Sequence, residues 1–149
     1  SEIDTGRFID VNDQACRMLE LAREEVIGKT SYELGIWDDP EVRSKLGMQL
    51  IRDGSFREVP VHGTTRNGNI RELLWSAEII NLGSKKVMLS LLFDITKRKQ
   101  AEEALRESEE RFSRAFHASP AVMTISEVET GLFIDVNEQA VRSIEYTRE

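Results

Sequence analysis

The chain has 149 residues, the size of one ordinary domain, and carries 20 Lys and Arg against 27 Asp and Glu. The net charge of −7 repels phosphate backbones and sets nucleic acid aside as a partner. The longest apolar run, Val87 to Phe93, is too short to cross a bilayer, and the lone Cys16 excludes an internal disulfide, so no membrane contact within this chain and a cytoplasmic location are expected.

In chain order, Phe8 to Asn12 alternates apolar with polar residues and predicts a half-buried strand. Asn12 or Asp13 then caps a short helix whose Ala15, Met18 and Leu19 share one face, and a second short helix stops at Gly28. A longer helix starts near Pro40, where proline is tolerated, with Val42, Leu46 and Leu50 as its buried stripe and Ile51 as a further candidate. After Gly54 the pattern turns extended. Asn67-Gly68 signals a tight hairpin, and Asn81 to Lys85 around Gly83 a second turn, so three consecutive strands form an antiparallel meander.

From Thr96 the sequence is charged and rich in helix formers, with Glu102 and Arg106, Glu107 and Arg111, and Glu110 and Arg114 spaced as i, i+4 pairs. Ala101, Leu105, Ser108, Phe112 and Ala115 follow a coiled-coil spacing, but only Leu105 and Phe112 are large. A short coiled coil and a solvated linker helix both remain open.

Past this helix the chain repeats itself. The peptide "GRFIDVNDQA" at Gly6 returns as "GLFIDVNEQA" at Gly131, 125 residues later, and 15 of the 24 pairs between residues 1–24 and 126–149 are identical. A period of that length is a domain, not a solenoid repeat, so one copy is nearly whole and a second has begun.

The residues offer no catalytic apparatus: no carboxylate pair set for acid and base work, no nucleophile with a histidine partner, no phosphate-binding glycine loop and no metal cluster. Cys16 has Val141 as its repeat counterpart and reads as a small core residue. His62 falls with Glu58 and Pro60 opposite Val59 and Val61, on the solvent side of its strand. Trp75 shares a face with Leu73, Ala77 and Ile79 and either packs there or closes a pocket.

Three stretches, "GRFIDVNDQACRMLELAREEVIGK", "RNGNIRELLWSAEI" and "LFDITKRKQAEEALRESEERF", resemble in this order a PAS domain over nearly all of residues 1–115. "AFHASPAVMTISEVETGLFIDVNEQA" resembles the opening of the next PAS domain in an array. The resemblance implies an α+β fold, a five-stranded antiparallel sheet with short helices on one face and a long linker helix after it. It divides the chain into a PAS domain over 1–96 lacking most of its first strand, a linker helix over 97–116 and the start of a second PAS domain over 117–149. Such modules stand upstream of histidine kinase or diguanylate cyclase domains in bacterial two-component and related signalling proteins. They hold a small molecule between sheet and helices, or pair chains as ligand-free spacers.

By that likeness Asp94, Ile95 and Thr96 form the junction that passes a signal to the following helix. Trp37, Leu46, Leu50, Val59, Val61, Leu73, Trp75, Leu89 and Leu91 are the pocket candidates, with Trp37 where the family can gate its cavity. The long helix lacks the histidine of haem-binding relatives, and the Asn-Cys-Arg run of light-sensing flavin relatives is missing, which argues against both cofactors.

The first strand of the second copy is Ala121 to Ser126, and the first copy begins at the equivalent of Ser126. Its central strand is therefore expected to come from Val122, Met123, Thr124 and Ile125 by strand addition. Ile95 to Arg114 spans about 30 Å as a helix, which leads away from its own sheet. A homodimer exchanging strands, with Leu105 and Phe112 on the connecting helix, is the expectation.

Overall fold

The computed structural model describes residues 1–144. Residues 145–149, the end of the repeat and of the 117–149 segment, lie outside the described residues. In the unit Ser1–Lys99, the side-chain oxygen of Asn12 accepts the Ala15 N–H at 2.8 Å and opens α1 (Asp13–Leu19). The Glu25 carboxylate accepts the Ala22 N–H at 2.8 Å and fixes the start of α2 (Arg23–Val26), which buries Val26 completely. Asp39 accepts from the Glu41 and Val42 amides ahead of Pro40, so α3 (Pro40–Asp53) starts as expected and stops at Gly54 in the left-handed region. Leu46 and Leu50 face the core and Val42 packs beside them, whereas Ile51 stands exposed, one position off the stripe.

Three antiparallel strands follow, β1 (Ser55–Thr64), β2 (Ile70–Leu82) and β3 (Lys85–Asp94), in the order β1-β2-β3. The two turns exchange character relative to the sequence expectation. Asn67-Gly68 lies in a five-residue loop closed by the Thr65 N–H donating to the Asn69 carbonyl, and the tight turn falls at Gly83-Ser84 between the paired residues Leu82 and Lys85. A bulge between Phe56 and Val59 puts Glu58 at a φ of +50° and lets Phe56, Val59 and Val61 all meet the core face. His62 points outward, 3.8 Å from the Glu72 carboxylate. The core is Phe56, Val61, Leu73, Trp75 and Ala77 from the sheet against Leu46 and Leu50 of α3.

Two expectations are corrected in this unit. Its sheet has three strands, and Phe8 to Asn12 is not one of them: the Phe8 N–H donates to the Lys29 carbonyl, the Gly28 N–H donates back to Phe8, and only Arg7 bridges Thr30. Ser1 and Glu2 lie along the outer edge of β3. The Ser1 amine donates to the Met88 carbonyl and the Met88 N–H donates to the Ser1 carbonyl, both at 2.8 Å, and Glu2 bridges Val87. The Arg7 to Phe8 segment thus pairs with Gly28 to Thr30 and not with β3.

The unit Gln100–Glu149 shows the same peptide paired. It contains most of α4 (Thr96–Ala118), then β4 (Thr124–Ser126), β5 (Phe133–Val136) and α5 (Glu138–Ile144). Here β4 and β5 form a two-stranded antiparallel ladder with Ile125 opposite Asp135. Asn137, the counterpart of Asn12, is fully buried. Its oxygen accepts the Met123 and Ala140 amides at 3.1 and 2.9 Å, and its NH2 donates to the Ala121 carbonyl at 2.8 Å. Phe116 and Ala140 are buried, while Leu105 and Phe112 lie exposed along α4. Arg106 pairs with both Glu103 and Glu110. No helix among the described residues is long and apolar enough to cross a membrane.

Candidate functional site

Between the inner face of the sheet and the segment carrying Phe8 to Asn12 and α1 lies a cleft of about 600 Å³. One side is β3, through Met88, Ser90 and Leu92. The other is Phe8 to Asn12 with Ala15, Met18 and Leu19 of α1. Sheet alternation and the helical spacing of α1 deliver these side chains to a common space. A volume of this size suits a small molecule.

Trp37 and Trp75 line the cleft together. Their ring centroids are 4.8 Å apart at 46°, and the Trp75 indole N–H donates to the Ser90 hydroxyl at 3.2 Å. Trp37 bridges Gly63 of β1, and Trp75 belongs to β2 and pairs with Leu92 of β3, so this end of the cleft lies across the sheet.

Arg43 of α3 reaches the same end. Its guanidinium carbon lies 5.2 Å from the Trp75 ring and 5.9 Å from that of Trp37. Among the described residues no carboxylate pairs with it, and burial pushes its ionisation down from the ordinary arginine value. Nearby, the buried Trp37 Nε1–H has no hydrogen-bond acceptor among the described residues. Two donors without acceptors thus meet at one apolar wall.

Gly47, one turn after Arg43, leaves room for this arrangement, since a Cβ there would come within 2.9 Å of Arg43 Nη1.

Of the sequence candidates, the cleft takes in Trp37, Trp75 and Leu89. Leu46, Val59, Val61 and Leu73 belong to the packed core, and Leu50 joins core and a small neighbouring hollow. Leu91 is exposed outside the cleft. Arg43 escaped the sequence reading, although a basic residue at i, i+3 and i+7 with Leu46 and Leu50 falls on the apolar stripe and marks a polar group turned inward.

The junction residues form one bonded cluster. The Ile95 N–H donates to the Glu72 carbonyl at 2.8 Å, the Thr96 hydroxyl accepts the Glu72 N–H at 2.9 Å, and Asp94 Oδ1 accepts the Thr96 N–H at 2.9 Å. Arg71 stands between two carboxylates, with Nη1 3.8 Å from Asp94 Oδ2 and Nη2 3.5 Å from Glu20 Oε1. Glu20 is the left-handed residue that ends α1.

A hydrogen bond from the Thr65 hydroxyl, then those from Asn67 and the charge of Arg71, hold the Glu20 carboxyl below its usual value of 4.5. A carboxyl depressed in the folded state contributes stability that is present above 4.5 and is lost as the pH falls through its folded value. Urea midpoints measured from pH 7 downward should therefore hold level until that region and then decline. Glu20→Gln should start lower at neutral pH and decline less steeply.

The PAS domain family profile matches residues 2–97. The methyl sulfide methyltransferase-associated sensor of Methanosarcina acetivorans is 31% identical over 105 residues, which are 70% of this chain and 10% of that protein. An uncharacterized protein of Sinorhizobium fredii is 28% identical over 120 residues, 78% of this chain and 14% of its length. The chain thus spans a small fraction of the curated relatives it matches. Among solved structures, a PAS domain from a two-component sensor histidine kinase superposes with a TM-score of 0.53 at 18% identity, covering 61% of this chain and 78% of that one. A PAS domain from Colwellia psychrerythraea gives the same score and identity over 62% and 80%. The meander, the helices on its inner face, the helix leaving from Asp94 to Thr96 and the profile match agree, and the chain belongs to the PAS domain family.

Proposed function

We propose that the first unit is a sensory module that admits a small molecule bearing an anionic group to the cleft and passes its occupancy to α4. The observation that carries the ligand class is the pairing of Arg43 with the Trp37 indole N–H, two donors at an apolar wall without acceptors among the described residues. A carboxylate between them would satisfy both, with its apolar body against Trp75, Met18 and Leu19. The route to the output is electrostatic. α1 lines the cleft and ends on Glu20, Glu20 meets Arg71, Arg71 meets Asp94, and Asp94 caps the first turn of α4. Movement of α1 on binding shifts the balance of Arg71 between its two carboxylates and loosens or tightens that cap.

Thermal melts of the chain with benzoate, octanoate and their neutral amides test this. A carboxylate at about one hundred times its Kd should add about 2.7 kcal/mol of stability. The amides should add little, and Arg43→Met should abolish the difference. Equal stabilisation by acid and amide, or no loss in Arg43→Met, would refute the ligand class. Arg71→Met should preserve the melting shift but remove any ligand-dependent change in amide exchange in the first turn of α4.

The spacer reading draws on a different observation, the exposure of Leu105 and Phe112 one heptad apart on α4. It gains if native mass spectrometry finds no retained molecule and no carboxylate shifts the melt. For the longer protein, the likeness to a PAS domain of a two-component sensor histidine kinase supports a signalling output of that class.

A further inference from the structure

The cleft has a third donor without an acceptor, and it is held by the same indole that Arg43 and Trp37 meet. Ser90 lies opposite Ala77 on the inner face of the sheet and lines the cleft, where its oxygen accepts the Trp75 indole N–H at 3.2 Å. A serine hydroxyl has one proton to give and two lone pairs to receive with. The indole takes one lone pair and leaves the proton unused, and no residue among those described accepts it.

Trp75 also sets where that proton stands. The ring is 2% exposed and fixed within β2, so its N–H holds the Ser90 oxygen from a rigid neighbour. Arg43 lies 5.2 Å from the same ring, which places guanidinium and hydroxyl within about 12 Å of each other. Between them the wall is apolar, made by Trp75 with Met18 and Leu19 of α1 on the facing side. Asp10, the acidic residue on the lining, is paired with Arg23 and answers neither donor.

A plain carboxylic acid satisfies Arg43 and Trp37 and leaves the Ser90 proton unmatched. A second carboxylate at that point would be desolvated with no cation to meet it. A ligand hydroxyl would bring a further proton to a wall already short of acceptors. A neutral carbonyl oxygen takes the Ser90 proton and adds neither charge nor donor.

We infer that the cleft selects an oxo acid, a carboxylate with a ketone a few carbons along its apolar body, and that Ser90 is the residue that selects it. The inference rests on the anionic ligand proposed above and adds the second polar group.

Isothermal titration of the full chain with octanoate and with 5-oxooctanoate tests it, since the two share length and charge and differ by one carbonyl. Ser90→Val and Ser90→Thr are matched in size, and the valine covers the Trp75 N–H with a methyl group while the threonine keeps a hydroxyl. Affinity for the oxo acid relative to octanoate should be about tenfold higher in the unaltered chain than in Ser90→Val, and Ser90→Thr should keep it. In the unaltered chain the Trp75 indole resonance should move further with the oxo acid than with octanoate, because a Ser90 hydroxyl that donates becomes a stronger acceptor. Binding of neither acid would overturn the anionic reading and this inference with it. Binding of both with one ratio in all three proteins, or a Trp75 resonance that the two acids move alike, would overturn this inference alone.

Discussion

Trp75→Ala should cost the first unit about 3–5 kcal/mol, the largest loss expected of any single truncation in it. Trp75 is 2% exposed and stands at the centre of the core. Phe56 meets it edge to face at 4.7 Å, Trp37 lies 4.8 Å away, and its N–H is bonded to Ser90. Removing the indole opens a cavity that strands on either side cannot close, because β2 is the middle strand and is fixed by ladders to both β1 and β3. For a domain near 100 residues the loss should lower the Tm by on the order of 15 °C or more. Trp37, the only tryptophan left, reports the transition by fluorescence. Trp75→Phe should recover most of the stability, since it keeps a ring against Phe56 and gives up only the Ser90 bond and part of the volume. A melt unchanged by Trp75→Ala would mean the core is not organised around this residue.

Asn137→Ala should be nearly as damaging, and Asn12→Ala should not. The two asparagines follow the same "FIDVN" peptide, yet their surroundings differ. Asn137 bonds the Met123 and Ala140 amides and the Ala121 carbonyl from a fully buried position, so its loss leaves the buried Ala140 amide unpaired at about 1–3 kcal/mol and removes two part-buried bonds at about 1 kcal/mol each. A unit of this size has little reserve, and β4–β5 should come apart. Asn12 makes one cap bond, to Ala15, and its removal should cost about 1 kcal/mol. The check is urea denaturation of both variants followed by amide exchange in Met123 to Val136. Equal penalties at the two positions would show that both copies are organised alike.

That contrast also shows how far local sequence carries. The α3 stripe, its start at Pro40, the three-strand meander and the position of Trp75 were legible because period and caps act within a few residues. "FIDVN" was not, because an identical peptide is a strand at 133–136 and irregular at 8–12. What differs is the strand beside it, which no local pattern encodes. The Asn67-Gly68 signal gave a hairpin but not its loop length, which is set by Thr65 closing onto Asn69 and by the Asn67 amide donating to Glu20.

Arg43 required knowing that Gly47 leaves space and that two tryptophans from distant segments meet there. Part of the signal was present: Arg57 and Glu58 between Phe56 and Val59 space the apolar residues by three instead of two, the mark of the bulge.

The Trp37 indole N–H resonance, followed by NMR while octanoate is titrated into the chain, tests the cleft most directly. This donor has no acceptor among the described residues, so a bound carboxylate should move its resonance downfield, while the Trp75 indole N–H, already bonded to Ser90, should move far less. The neutral amide of octanoate should leave both nearly in place. A Trp37 resonance that octanoate does not move, or that the amide moves equally, would contradict an anionic group held beside Trp37 and Arg43.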